Sequence, residues 1–328
     1  MSLNELKNCP GTLMEGHNTY SRACLSKLFR GKKVNHILPY DSPVSNLEMD
    51  ELFNNNRAGL SISGVQEKYS VLLDKNQIRL INKGEQGEYI LKPIPMAGKR
   101  SECMPANEHL TMQIAKQVYG IETAENALIF FKNGAPAYIT RRFDIKDDGT
   151  KLAQEDFASL AGKTPQTHGN HYKYSGNYLE LFQILKKYVP AYLSEAPKLL
   201  KIIIFNYLFS NGDAHLKNFS LIETPMGDFK LSPAYDLLNS TIHIEDESFA
   251  LEDGLLPKIL AQGKVIAQLK MLSKMAGIKE GIYKNILNTM LGNTKLVEQL
   301  TLSSFLDKKT KKYYLQSYKE RLKKLKKE

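Results

Sequence analysis

Long apolar runs are missing from this sequence. The densest stretch, Ile202-Ile203-Ile204-Phe205, is flanked by Lys198, Lys201 and Asn206, so nothing approaches the ~20 apolar residues of a membrane span. No basic segment followed by an apolar one opens the chain, so no secretion signal is read and the expected location is the cytosol. Cysteine is scarce. Cys9, Cys24 and Cys103 are odd in number and far apart, which argues against a disulfide framework and leaves no Cys-x-x-Cys zinc pattern. A complete phosphate-binding P-loop is absent too: Ala161-Gly162-Lys163-Thr164 resembles its end, but Phe157 stands where the upstream glycine belongs. His168 and His171 lack a matched carboxylate pattern and read as surface residues, not zinc ligands.

What is present is an ordinary globular balance, with 42% hydrophobic and 24% charged residues. A chain of 328 residues can bury one large core or two smaller lobes. The net charge of +10 is unevenly spread, because residues 308–328 carry ten Lys/Arg against two Glu, a surplus of eight. In that tail Leu315, Tyr318, Leu322 and Leu325 follow helical spacing. A terminal amphipathic helix docked on the body, with solvated lysines, is expected in preference to a nucleic-acid contact.

The pattern along the chain changes once. Residues 1–60 read as irregular and polar, with turns at Pro10, Gly11, Pro39 and Pro43. Strands are expected at 69–73, 77–81 and 89–92, then a helix carrying Leu110, Ile114 and Val118 with Asn107 as its N-cap. Strands 127–131 and 137–140 flank the hairpin signal Asn133-Gly134. After Asp144 the pattern turns helical, with helices at 178–188 and 199–209, short strands at 219–222 and 229–231, and mostly helix from Leu255. This predicts an α+β, two-lobed, protein-kinase-like fold: an N-terminal segment 1–60, a strand-rich lobe 61–144 and a helical lobe 145–328.

Phosphoryl transfer needs a phosphate cradle, a cation on the phosphates, a base and metal ligands. Asn211-Gly212-Asp213-Ala214-His215-Leu216-Lys217-Asn218 lies between a buried helix and a strand. There Asp213 would accept a hydroxyl proton, Lys217 would offset phosphate charge and Asn218 would bind Mg²⁺. A hairpin returns the chain to Asp236, which can share the metal. Ser63-Gly64-Val65-Gln66-Glu67-Lys68 leads into a strand and is small enough for backbone N–H groups to approach phosphates. Lys92 ends a strand and Glu108 opens the next helix, the spacing of a kinase lysine–glutamate pair. Arg141, Arg142 and Phe143 sit where a hinge would meet adenine.

The ordered set Ser-x-Ser-Gly-x-Gln-x-Lys at 61–68, Tyr-Ile-Leu-Lys-Pro at 89–93, Asn-Glu-His at 107–109 and Arg-Phe-Asp at 142–144 resembles the HipA kinase family. So do Gln154-Glu155-Asp156, Gly212 to Asn218 and Pro233-Ala234-Tyr235-Asp236. The resemblance implies ATP and Mg²⁺ as cofactors, Lys92 on the phosphates, Asp213 as base, and Asn218 with Asp236 as metal ligands. His215 would lie at the nucleotide, residues 64–68 would form the phosphate loop and 141–143 the hinge. Arg141 departs from the glutamate common at that hinge position. Ser61 comes too early to leave room for the extra N-terminal subdomain of long members, which makes the chain similar to the short HipT type. That type implies a toxin of a toxin–antitoxin system, autophosphorylation on Ser61 or Ser63, and an aminoacyl-tRNA synthetase substrate, the tryptophanyl enzyme first. The implied partners are a HipB-like helix-turn-helix antitoxin and a small HipS-like protein, with DNA reached only through the antitoxin. A small-molecule kinase and a catalytically silent binding protein are the competing readings. Retention of Lys92, Asp213, Asn218 and Asp236 together speaks against silence.

Overall fold

In a computed structural model the described residues are 6–43, 53, 67–245 and 247–326. Five strands form an antiparallel sheet in the order β2-β1-β3-β5-β4: β1 (Tyr69–Asp74), β2 (Gln77–Leu80), β3 (Tyr89–Lys92), β4 (Asn126–Phe130) and β5 (Pro136–Arg141). The β1–β2 and β4–β5 turns form at Lys75 and Gly134, both at positive φ, the second at the expected Asn133-Gly134 hairpin signal.

Because side chains alternate across a strand, β4 and β5 each feed two cores. Ala127 and Ile129 of β4, and Ala137 and Ile139 of β5, pack into an outer cluster. Leu128, Phe130 and Tyr138 join the main core on the other face. The continuous apolar run of β4 therefore reflects burial on both sides.

The outer face is covered by residues 6–43, and here the expectation of an irregular polar segment is corrected. Helix α1 (Arg22–Leu28), capped by the Ser21 hydroxyl, and Cys9, Tyr20, Phe29, Val34 and Leu38 build a core against the sheet. Backbone bonds stitch the layer down: Leu128 N–H to Pro10 O at 2.8 Å and Leu38 N–H to Phe130 O at 2.7 Å. Apart from Cys24 and Leu28, one turn apart on α1, the apolar residues of this layer follow no regular period, so periodicity reveals little of it.

Helix α2 (Met104–Gln117) crosses the inner face. It starts before the expected N-cap, with Pro105 in its first turn, so Asn107 is an interior residue and fully buried. The helical lobe begins with α3 (Phe157–Leu160), α4 (Pro165–His168), α5 (Tyr178–Tyr188) and α6 (Tyr192–Leu208). Asn177 and Glu180 form a capping box that starts α5 at the expected residue. Helix α6 begins seven residues before the expected Leu199 and carries Pro197 inside, where a breaker is tolerated because the turn is anchored by packing. A second sheet, β6 (Gln154–Asp156), β7 (Ser220–Glu223) and β8 (Phe229–Leu231), is ordered β6-β7-β8. Helices α7 (Val265–Met275), α8 (Glu280–Gly292), α9 (Thr294–Ser303) and α10 (Lys308–Lys326) complete the lobe.

The basic tail is helix α10, docked as expected. Tyr314, Tyr318, Leu322 and Leu325 are buried, and Tyr318 stacks on Phe209 at 5.0 Å between centroids. Its lysines at 312, 319, 323 and 324 face solvent. None of the described helices is long and apolar enough to cross a membrane.

Candidate active site

Alternation along β3 puts Tyr89 and Leu91 in the outer core and turns Lys92 to the inner face, under α2. There its Nζ donates to Glu108 Oε1 at 2.6 Å, with both side chains under 5% exposed. It also donates to Asp236 Oδ1, and the Tyr138 ring lies 5.2 Å below. Lys68 reaches the same carboxylate from β1's approach, Nζ to Oδ2 at 3.2 Å. Burial opposes the Lys92 charge, but Asp236 and Glu108 outweigh it and hold the ammonium above its usual range. Burial likewise pushes Asp236 up, and Lys68 and Lys92 overcome that to hold its carboxyl far below the ordinary value. For Glu108 burial wins and the carboxyl is raised, so Asp236 is the firmer anion.

Several contacts hold the Asp236 carboxylate there. Ala234 N–H bonds Glu122 O and Ala124 N–H bonds Ala234 O, tying the segment before Asp236 to the lead-in of β4. Asp236 itself adopts φ +55°, a left-handed conformation that asparagine and aspartate accept more readily than most residues. Three residues on, Asn239 is clasped by Asn107 of α2. Asn107 Nδ2 donates to Asn239 O at 2.9 Å and its Oδ1 accepts from Asn239 N–H at 3.1 Å. The residue beside Glu108 therefore grips the segment that carries Asp236. His243 completes the clasp. Its Nδ1 lies 3.1 Å from Lys99 O, which can only accept, so Nε2 is the acceptor for Asn107 Nδ2 at 2.9 Å.

The loop after α6 supplies the other groups. Gly212 N–H donates to Ser240 Oγ at 2.9 Å, which pins the loop to the segment after Asp236. Asn218 Nδ2 donates to Asp236 Oδ2 at 3.3 Å, while its Oδ1 accepts from His215 N–H at 3.2 Å. Asp213 is 45% exposed, and Tyr174 donates its hydroxyl to Asp213 Oδ1 at 2.8 Å. His215 is buried beside it, 3.9 Å from Asp213, and burial lowers its imidazole to about 4, so the ring is neutral near pH 7.

Beside residues 141–143 an open cleft of about 700 Å³ is lined by Arg142, Asp144, Gln154, Asp156, Lys217 and Tyr235. Arg142 grips Asp144 with Nε and Nη2 at 3.0 and 2.6 Å. The Phe143 ring lies 5.8 Å from that of Tyr235, whose hydroxyl donates to Lys217 O at 2.9 Å. Lys217 Nζ pairs with Asp156 Oδ2 at 3.1 Å, a bond that outweighs burial and raises its ammonium. Arg141 turns outward to Asp147 at 3.2 Å.

Lys92, Glu108, Asp236, Asn218 and Lys68 thus converge, with Asp213 and His215 on the adjoining loop. Arg142 and Lys217 meet at the cleft, and Arg141 does not reach it. Of the proposed phosphate loop, Glu67 and Lys68 are described, while Ser61, Ser63, Gly64, Val65 and Gln66 lie outside the described residues. Three residues escaped the sequence reading: Tyr174 on Asp213, Tyr138 under Lys92, and Asn107 as a clasp. Only Tyr138 had a signal, its same-face position opposite Lys92 on the neighbouring strand.

Residues 60–295 match the family model described as the HipA-like C-terminal domain. A Haemophilus influenzae protein named "Putative kinase" is 28% identical over 232 residues, 69% of this chain and 64% of the relative. The structure of Shewanella oneidensis HipA, solved with HipB and operator DNA, is similar at a TM-score of 0.61 and 20% identity, over 80% of this chain and 63% of that one. The Helicobacter pylori proinflammatory kinase CtkA is similar at a TM-score of 0.51 and 14% identity, over 77% of this chain and 92% of that one. The chain therefore spans just under two thirds of the length of both the Haemophilus relative and the HipA structure.

Proposed function

From the premise that this chain belongs to the HipA-like C-terminal domain family, we propose that it is an ATP- and Mg²⁺-dependent kinase acting on serine or threonine hydroxyls of a protein. The observation that carries the reading is Lys92 held between Glu108 and Asp236, with Asn218 on the same Asp236 carboxylate. A structural salt bridge needs one partner. A buried lysine bracketed by two carboxylates, one of them shared with an amide and a second lysine, is the equipment of a phosphate and metal site.

Asp236 and Asn218 fit Mg²⁺ in donor type, since both offer hard oxygen atoms. Among the described residues no cluster of three or more His, Cys, Asp or Glu could hold a metal by itself. Two protein ligands suit an ion that keeps waters and phosphate oxygens in its shell. When bound, it would neutralise developing phosphate charge. Lys92 would hold phosphate oxygens, oriented by Glu108. Asp213 would take the proton of the acceptor hydroxyl. The cleft at Arg142, Lys217 and Tyr235 would receive the base and ribose.

The acceptor we assign is a loop serine or threonine of an aminoacyl-tRNA synthetase, the tryptophanyl enzyme first, with Ser61 or Ser63 as self-phosphorylation sites. Resemblance to the short HipT type motivates both, and a phosphate placed near a synthetase's own ATP site would slow it by like-charge repulsion. The same resemblance, with the HipB-bound state of the Shewanella protein, supports antitoxin partners and a toxin role. The test is incubation with γ-labelled ATP, Mg²⁺ and cell extract, followed by identification of labelled bands. A synthetase band absent with Asp213→Asn is expected. Label on small molecules alone overturns the protein-kinase reading, and no transfer at all overturns the kinase.

A further inference from the structure

The segment between α4 and α5 bears on the catalytic loop in a way the sequence did not suggest. Tyr174 ends a short helical turn, Tyr172–Tyr174, and donates its hydroxyl to Asp213 Oδ1 at 2.8 Å. Its ring stands edge-on to His215 at 5.2 Å between centroids, and Lys173 Nζ lies 4.9 Å from the ring centre. The backbone around it is tied at several points. Glu252 N–H bonds Tyr174 O at 2.9 Å, Asp253 N–H bonds Gly176 O at 3.0 Å, and Lys163 Nζ bonds Ser175 O at 2.9 Å. This is a built wall, fastened to elements on both sides, and its one polar tip is aimed at the carboxylate.

We propose that Tyr174 is a positioning residue for the base: it holds Asp213 Oδ1 so that Oδ2 faces the incoming acceptor hydroxyl. The proposal rests on the kinase reading above. Asp213 is only part-buried, and Oδ2 has no hydrogen-bond partner among the described residues. A half-exposed carboxylate rotates about its Cβ–Cγ bond unless one oxygen is tethered, and Tyr174 is that tether. In the transfer, the acceptor oxygen forms a bond to the γ-phosphorus, the bond from that phosphorus to the β–γ bridging oxygen breaks, and ADP leaves with the electron pair. The acceptor proton goes to Oδ2, and the tyrosine keeps its own. Lys173 contributes separately. Burial depresses its ammonium, Asp213 partly restores it, and the side chain has no ion-pair partner among the described residues. It therefore adds positive charge near the base without competing for Oδ1.

The tethering argument separates Tyr174 from a plain packing residue. Phenylalanine preserves the ring, its edge contact with His215 and the volume of the wall, and removes only the donor. Loss of one hydrogen bond to a charged group corresponds to roughly ten- to hundredfold in rate. The experiment measures phosphate transfer from γ-labelled ATP to myelin basic protein and to the chain itself, for wild type, Tyr174→Phe and Asp213→Asn. Binding of a fluorescent ATP analogue and the melting temperature are recorded alongside. The expected result is a kcat lowered ten- to hundredfold in Tyr174→Phe, with KM for ATP, analogue affinity and melting temperature within twofold or two degrees of wild type. A kcat within twofold of wild type overturns the proposal, and so does a loss that tracks weakened ATP binding or a lowered melting temperature. Transfer lost in Asp213→Asn but unchanged in Tyr174→Phe sinks this inference and leaves the kinase reading standing. No transfer by the wild type to either acceptor overturns both.

Discussion

Removing the Asn107 side chain tests whether α2 and the Asp236 segment are held as one unit. In Asn107→Ala, three buried groups lose their partner: Asn239 N–H, Asn239 C=O and His243 Nε2. Asn239 is 1% exposed and His243 4%, so water does not readily replace the amide. At about 1–3 kcal/mol for each stranded group, with some relaxation, the loss is about 3–5 kcal/mol. Unfolding entropy of about 2.1 cal/mol/K per residue gives about 0.7 kcal/mol/K for this chain, so the melting temperature should fall by about 4–7 °C. Urea unfolding followed by circular dichroism, with calorimetry, provides both numbers. Asn107→Asp adds a check of sign. Its carboxylate still accepts from Asn239 N–H but now opposes the Asn239 carbonyl and the Nε2 lone pair. Protonating His243 turns that last repulsion into a hydrogen bond, so Asn107→Asp should recover stability relative to Asn107→Ala as the pH is lowered. A loss below about 1 kcal/mol in the alanine variant would show that the clasp is a bystander and refute the reasoning.

Lys92→Met leaves the buried Glu108 without its cation and Asp236 with Lys68 alone, and should destabilise by about 3–5 kcal/mol in urea unfolding. Adding Glu108→Leu should return part of that stability, though not phosphate transfer. Acid should weaken the fold between about pH 6.5 and 4, because burial lowers His109 and His215 to about 4 while the unfolded chain titrates near the ordinary value. Here the unfolded state takes up protons first, so stability is full above 6.5 and falls as pH drops, by up to about 3 kcal/mol for each histidine, which stability curves at fixed pH will register. Gly11→Ala puts a Cβ 2.1 Å from Cys24 Sγ and should lower stability by about 1–3 kcal/mol through overpacking of the outer layer. The same variant should make Cys9 and Cys24 react faster with an aromatic disulfide reagent, where both thiols of the wild type are buried.

The strands of the main sheet were legible as short runs rich in β-branched, aromatic and apolar residues bounded by recognisable turns, as at Asn133-Gly134. Helix α5 was legible from its amphipathic face, and the capping box of Asn177 and Glu180 is what fixes its start. The start of α2 was not. Asn107 has the chemistry of a cap, yet its amide is used across the chain by Asn239, a tertiary bond that no local rule anticipates. The layer of residues 6–43 was hidden for a related reason: Cys9, Tyr20, Phe29 and Val34 are buried by the sheet they cover and follow no period of their own. At the site, residue type and order pointed to Lys92, Asp213, Asn218 and Asp236. Their mutual distances came from folding, and they separate the two roles assigned to Lys217 and Lys92: Lys92 sits in the carboxylate cluster, whereas Lys217 is occupied by Asp156. Tyr174 lies 39 residues before Asp213 and belongs to no motif read for chemistry, so only the fold could join them.

Helix α10 gives the molecule a clock. Thr111 of α2 meets the Tyr314 hydroxyl at 2.8 Å, and Asn239 Nδ2 donates to Ser317 Oγ at 2.8 Å, so the last of the described helices braces both partners of the Asn107 clasp. On a ribosome the lysine, the glutamate and both aspartates of the site are made long before that brace. Between Thr111 and Tyr314 the ribosome adds 203 residues. At about 5–20 residues per second, α2 waits about 10–40 s for its final support. A nascent chain stopped short of Tyr314 therefore carries every group of the site while Thr111 and Asn239 still lack their α10 partners. For a protein proposed to act against translation, the braced site would then form only after α10 itself has been made.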